Sequence, residues 1–196
     1  MKSVWHDYPV ERITVDRFYV VIEIPKGSKK KYEYDKETGL MRLDRILYTS
    51  TVYPMNYGFI PKTLADDGDP LDVLVLCSEV LDPFVSVECY PIGVVQMVDN
   101  EEFDEKIIAI PFKDPTYNGF RDISTIPQHI LNEISHFFEV YKELEHSKTS
   151  VKEIKGREDA IIAIKKSIEK YDQKFVKNKV EREVEQKNEK AEKSKI

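Results

Sequence analysis

The run from Arg17 to Ile24 carries Phe18, Val20, Val21, Ile22 and Ile24 and stops at the turn signal Pro25-Lys26-Gly27-Ser28, which predicts a first strand. Lys31 to Asp35 alternates with period two and closes on Glu37-Thr38-Gly39. Leu40 to Leu47 then alternates again, so the two segments predict a hairpin. Val73 to Leu76, Val85 to Val98 and Ile107 to Phe112 predict further strands, and Pro91 marks an edge or a bulge in the longest. The period changes after Pro127, where Ile130, Ile134, Phe137, Tyr141 and Leu144 recur on one helical face. A second helix is expected over 159–171 through Ile161, Ile164 and Ile168, preceded by a short strand at 151–154. Strands first and helices last predict an α+β domain, mainly β, in which a strongly curved or closed antiparallel sheet carries helices on its outside.

At 196 residues the chain fits one domain, expected over 1–175, followed by a charged extension over 176–196 that is helical or disordered. From Lys174 onward eight Lys or Arg face five Glu, a balance of +3, which leaves −9 on the body of a chain whose total is −6. An acidic body disfavours a partner held by phosphate neutralisation, so no nucleic acid is expected, while a local pocket for a small anion stays open. Cys77 and Cys89 lie in apolar, strand-like sequence without metal-ligand spacing and read as reduced core residues. No apolar run is long enough to cross a bilayer and the N-terminus has no signal-like core, so no membrane contact and a cytoplasmic location are expected.

The chemistry concentrates in Asp66-Asp67-Gly68-Asp69-Pro70-Leu71-Asp72, four carboxylates in seven positions at the start of an apolar strand. Like charges this close raise one another's pKa unless a cation sits among them, which points to a divalent metal. An EF-hand fails in register: counted from Asp67, its glycine position holds Asp72 and its bidentate Glu position holds Ser78. Oxygen ligands alone suit magnesium or manganese. A second acidic group, Asp99 to Glu105, sits between two strand-like runs, with Asp99 and Asp104 at the neck of the expected hairpin. Lys106, two residues beyond Asp104, projects to the same face. The four histidines, His6, His129, His136 and His146, have no metal-ligand spacing and read as structural or surface.

Six motifs in order resemble the family I soluble inorganic pyrophosphatases, of prokaryotic type. They are Ile22-Glu23-Ile24-Pro25, Lys31-Tyr32-Glu33-Tyr34-Asp35, Asp44-Arg45, Tyr53-Pro54-Met55-Asn56-Tyr57-Gly58, Asp67-Gly68-Asp69-Pro70-Leu71-Asp72-Val73 and Phe137-Phe138-Glu139-Val140-Tyr141-Lys142. The resemblance covers roughly residues 15 to 170. It implies a five-stranded OB-like closed barrel with two C-terminal helices, a homohexamer, and magnesium-dependent hydrolysis of pyrophosphate with several Mg2+ per site and Mn2+ or Zn2+ as substitutes.

By the same resemblance Asp67, Asp72 and Asp104 hold the first metal, Asp72 bridges to a second, and Asp99 with Asp104 holds a substrate-borne metal. Glu23 and Glu33 belong to an outer metal shell, and Asp69 takes the proton of the attacking water. Lys31, Arg45, Lys106 and Lys142 meet phosphate oxygens, Tyr57 and Tyr141 donate hydroxyl hydrogen bonds, and Tyr53 shapes the site. Asp66 is a solvated neighbour. Asn100 stands where many bacterial members carry an acid, which weakens any outer metal contact there. The rival reading, an OB-like nucleic-acid-binding module without catalysis, lacks the basic stacking groove that such a module needs.

Overall fold

The computed structural model describes residues 3–177, so the expectations for the extension beyond them lie outside the described residues. Eight strands form, β1 (Phe18–Ile24), β2 (Lys30–Tyr34), β3 (Met41–Ile46), β4 (Asn56–Phe59), β5 (Asp72–Val75), β6 (Ser86–Asp99), β7 (Glu102–Pro111) and β8 (Thr149–Gly156). Helix α1 (Gln128–Val140) precedes β8 and α2 (Arg157–Tyr171) follows it. The strand order β1-β4-β5-β7-β6 returns to β1 through a β1–β6 pairing, which closes five strands into a ring. β8 extends this sheet from β6, and β2–β3 form a separate hairpin. The OB-like barrel with two C-terminal helices is therefore borne out.

β6 can serve three neighbours because it is long. Its first part, Ser86 to Cys89, pairs with β1 while Gly93 to Asp99 pairs with β8. Pro91 cannot donate to a ladder; it falls between the β1 and β8 pairings of β6, and the β6–β7 register shifts between Pro91 and Gly93, so the bulge reading of Pro91 holds.

Strand β4 is absent from the sequence reading. Its Asn56-Tyr57-Gly58-Phe59 has neither alternation nor a β-branched residue, and tertiary contact imposes the strand. Gly58 is required there, because a Cβ would stand 2.0 Å from the Val21 carbonyl oxygen of β1.

The two helices cover opposite faces of the sheet. α1 supplies Leu131, Ile134, Phe137 and Phe138 to a core shared with Ile24, Leu74, Ile92, Met97 and Ile108. α2 supplies Ala160, Ala163 and Ile164 to a core shared with Phe18, Ile22, Val73, Val94 and Ala109. Each fully buried apolar side chain contributes about 1.5–3 kcal/mol, and Phe138→Ala would cost about 3–5 kcal/mol.

The expected stripe overran the helix. α1 ends at Val140, Tyr141 caps it, and Leu144 sits 58% exposed in the following 3-10 turn. A third cluster joins both ends of the described chain: Trp5, Tyr34, Phe59, Leu64 and Tyr171. Trp5 Nε1 donates to the Thr63 carbonyl at 2.8 Å, and His6 Nδ1 pairs with the Tyr171 hydroxyl at 2.8 Å, the structural role expected of His6. Both cysteines are free and buried, as expected. Among the described residues no helix is long and apolar enough to cross a membrane.

Candidate active site

The parallel pairing of β5 with β7 sets Asp72 directly beside Lys106. Side chains alternate along β7, so Asp104 and Lys106 continue the face that Ile108 and Ile110 bury against α1, and charged groups appear where that apolar face runs out. The β6–β7 hairpin pairs Met97 with Asp104, which puts Asp99 on the same face one step nearer the turn. On the other side β4 pairs Tyr57 with Leu74, two residues beyond Asp72, so the tyrosine joins this face as well.

Lys106 is the hub. Its ammonium lies 2.7 Å from Asp72 Oδ2, 2.8 Å from Asp104 Oδ2 and 3.1 Å from the Tyr57 hydroxyl, with its side chain 5% exposed. Burial alone would lower its pKa, but the attraction of Asp72, with Tyr57 and Asp104, outweighs burial and holds it well above the ordinary lysine value. The Tyr57 hydroxyl donates to Asp72 Oδ2. Asp72 nevertheless has a raised pKa, because burial and repulsion from Asp104 oppose the pull of Lys106. Burial also pushes the Tyr53, Tyr57 and Tyr141 phenols above their ordinary range, so all three stay protonated donors.

The bend before β5 is shaped by Gly68, whose φ of +91° suits a residue without a Cβ. Asp67 Oδ1 accepts the Asp69 N–H at 2.9 Å, and both residues line the cavity. The pocket wall raises the pKa of Asp67, first by removing water and then by repulsion from Asp72, Asp69 and Asp104, although the residue's outer edge stays exposed. Asp69 is exposed as well and carries the Lys36 ammonium. Asp66 was expected to be merely solvated. Its side chain is 45% exposed, as that reading has it, and it forms open ion pairs with Lys166 and Lys170 of α2.

Across the cavity, Glu23 is buried and accepts the Tyr34 N–H at 2.8 Å. Burial, then repulsion from Asp72, pushes its pKa up to about 8. Lys142 lies 2.5 Å from Asp99 Oδ2, while Asp99 Oδ1 is buried without a hydrogen-bond partner.

These side chains enclose a cavity of about 540 Å³, and every residue nominated from sequence lines it except Arg45. Arg45 is turned aside, its Nη1 2.5 Å from Asp44 and its Nε 2.9 Å from Glu145 Oε2. Lys31, paired with Arg45 across β2–β3, reaches the cavity in contact with Glu33. Lys36 and Arg42, outside the set expected from sequence, also line the cavity. The hairpin register Glu33↔Arg42 was the available signal for Arg42. Lys36 had none, because a turn lysine is ordinarily solvated.

Nine carboxylates and five cations line this cavity, an excess of negative charge that fits a cation-binding site, and all the anionic donors are oxygens. The unpartnered Asp99 Oδ1 fits as well, since a buried anionic oxygen is costly without a partner. Among the described residues no three acidic, His or Cys side chains form a ready-made cage, and the Lys106 ammonium stands between Asp72 and Asp104.

Residues 20–172 match the model of the inorganic pyrophosphatase family. The chain is 51% identical over 176 residues to soluble inorganic pyrophosphatase 2 of Chlamydomonas reinhardtii, covering 90% of this chain and 92% of that protein. It is 49% identical over 170 residues to the inorganic pyrophosphatase of Aquifex pyrophilus, covering 85% and 96%. The crystal structure of the Thermus thermophilus enzyme superposes with a TM-score of 0.83 at 38% identity, covering 87% of this chain and 99% of that one. With a family model spanning most of its length and relatives near half identity over nearly their whole chains, the protein belongs to the inorganic pyrophosphatase family.

Proposed function

We propose that this chain hydrolyses inorganic pyrophosphate to two orthophosphates in a magnesium-dependent reaction. The observation that carries the reading is the convergence on one cavity of carboxylates and cationic side chains drawn from five strands and the end of α1. Family membership supports the same activity.

Asp67, Asp72 and Asp104 would hold the first ion and Asp72 would bridge to a second. Asp99 and Asp104 would meet an ion brought by the substrate, with Glu23 and Glu33 in outer contact. Bound magnesium supplies charge compensation for pyrophosphate and makes a coordinated water easier to deprotonate. The chain's own residues do the rest. Asp69 accepts the proton of the attacking water as its oxygen forms the new P–O bond, and the bridging P–O bond breaks with its electron pair leaving on the departing phosphate.

Lys31, Lys106 and Lys142 neutralise phosphate oxygens, and Tyr57 and Tyr141 donate hydroxyl hydrogen bonds to them. Arg45 grips a phosphate through its planar fork once it turns from Glu145. Release of orthophosphate from pyrophosphate by purified protein across a magnesium series tests the activity, and no release at any concentration refutes it. Manganese or zinc substitutes for magnesium, and calcium inhibits because its larger, looser shell misplaces the attacking water.

The unit is a domain over 1–175 that assembles as a homohexamer in the cytoplasm. A light-scattering mass of one or two subunits would refute the assembly.

A further inference from the structure

The Lys36 ammonium belongs to two groups at once. It pairs with Asp69 Oδ1 and lies 5.0 Å from the ring centroid of Trp5, the chain's single tryptophan. Trp5 is a fixed platform, 4% exposed, bonded to the Thr63 carbonyl and stacked on His6 with centroids 4.3 Å apart.

The Lys36–Asp69 pair contrasts with Lys106–Asp72 in the same cavity. Its side chains are 40% and 58% exposed against 5% and 27%. An ion pair this open is worth about 0.2–1 kcal/mol, whereas a pair with one member almost fully buried is broken only at a cost of several kcal/mol. A divalent ion drawn to the acidic bend therefore displaces Lys36 from Asp69 at a smaller cost than it would displace Lys106 from Asp72.

We propose that Lys36 is a displaceable counter-ion of the acidic bend, which yields Asp69 when magnesium enters and reports that release through Trp5. This rests on the metal reading of the preceding section. Asp69 can receive a proton only from an oxygen free to approach it, so the release frees the carboxylate that the reaction uses. Because Lys36 and an incoming cation repel, the lysine weakens magnesium binding. Cation–π contact with the Trp5 ring keeps the displaced ammonium near the rim.

The test is calorimetric titration of the full chain with magnesium chloride alone, alongside Trp5 emission. Lys36→Met is expected to bind magnesium about two- to fivefold more tightly, the factor corresponding to a pair of at most about 1 kcal/mol, and Lys36→Arg to keep wild-type affinity. Wild-type Trp5 emission is expected to change along a saturable curve with the calorimetric midpoint, and this response is lost in Lys36→Met. Unchanged or weaker affinity in Lys36→Met, or a wild-type emission indifferent to magnesium, overturns the inference and leaves the activity standing. No magnesium binding to the wild type overturns both.

Discussion

Asp69 and Asp72 lie three residues apart in the same bend and face one cavity, yet the two walls they belong to obey different rules. Asp72 enters a buried strand, where Lys106, Tyr57 and Asp104 lock together with little water between them. Asp69 sits beyond the strand, facing the β2–β3 hairpin, where Lys31, Glu33, Arg42 and Lys36 form pairs that water and salt weaken. One wall fixes the geometry and the other adjusts to it. Charges fixed in a dry wall keep their positions at the cost of folding energy, while charges on a wet one can exchange partners during a reaction.

Asp72→Ala should break this comparison most severely, because it strands Lys106 beside a single remaining carboxylate. Hydrolysis should fall about a thousandfold or more, and unfolding free energy by on the order of 3 kcal/mol, read from phosphate release and urea denaturation. Asp69→Asn should separate the two walls: activity falls about 10²- to 10⁴-fold while stability stays within about 0.5 kcal/mol of wild type. Equal destabilisation by the two substitutions would erase the distinction drawn between them.

Glu23 sharpens the dry side through pH. Its folded pKa near 8 lies above the ordinary 4.5, so between those values the folded protein holds a proton that the unfolded chain has released. The stability it contributes is therefore full below about pH 4.5 and is lost as pH rises through 8. Glu23→Gln, which keeps an acceptor for the Tyr34 N–H, should remove that decline and exceed wild-type stability above pH 8 by about 1 kcal/mol or more in chelator-treated protein. A wild-type profile flat from pH 5 to 9 would contradict this. The smallest effect is expected on the wet side. Arg45→Lys should raise KM about threefold, some 0.6 kcal/mol, with less change in kcat, and an unchanged KM would mark Arg45 as a brace tied to Glu145.

Local pattern made much of this legible. β1, the β2–β3 hairpin and α2 follow directly from alternation or helical period, and the six motifs contain fifteen of the residues that line the cavity. What escaped depended on contacts distant in sequence. β4 becomes a strand because β1 and β5 flank it, and Asn56 and Gly58 carry no strand preference of their own. The diversion of Arg45 depends on Glu145, a hundred residues away. Leu144 kept the apolar rhythm after the helix had ended, since periodicity does not mark where a backbone turns away.

The parallel pairing of β5 with β7 also sets an order of events. Asp72 and Lys106 are 34 positions apart and become neighbours only after β6 has crossed over between them, so no local segment of the chain can assemble this centre early. Closing that crossover costs loop entropy before any of its contacts form. The reactive wall should thus mature with the last non-local pairing, and a refolding chain should regain helical signal before it regains any capacity for turnover.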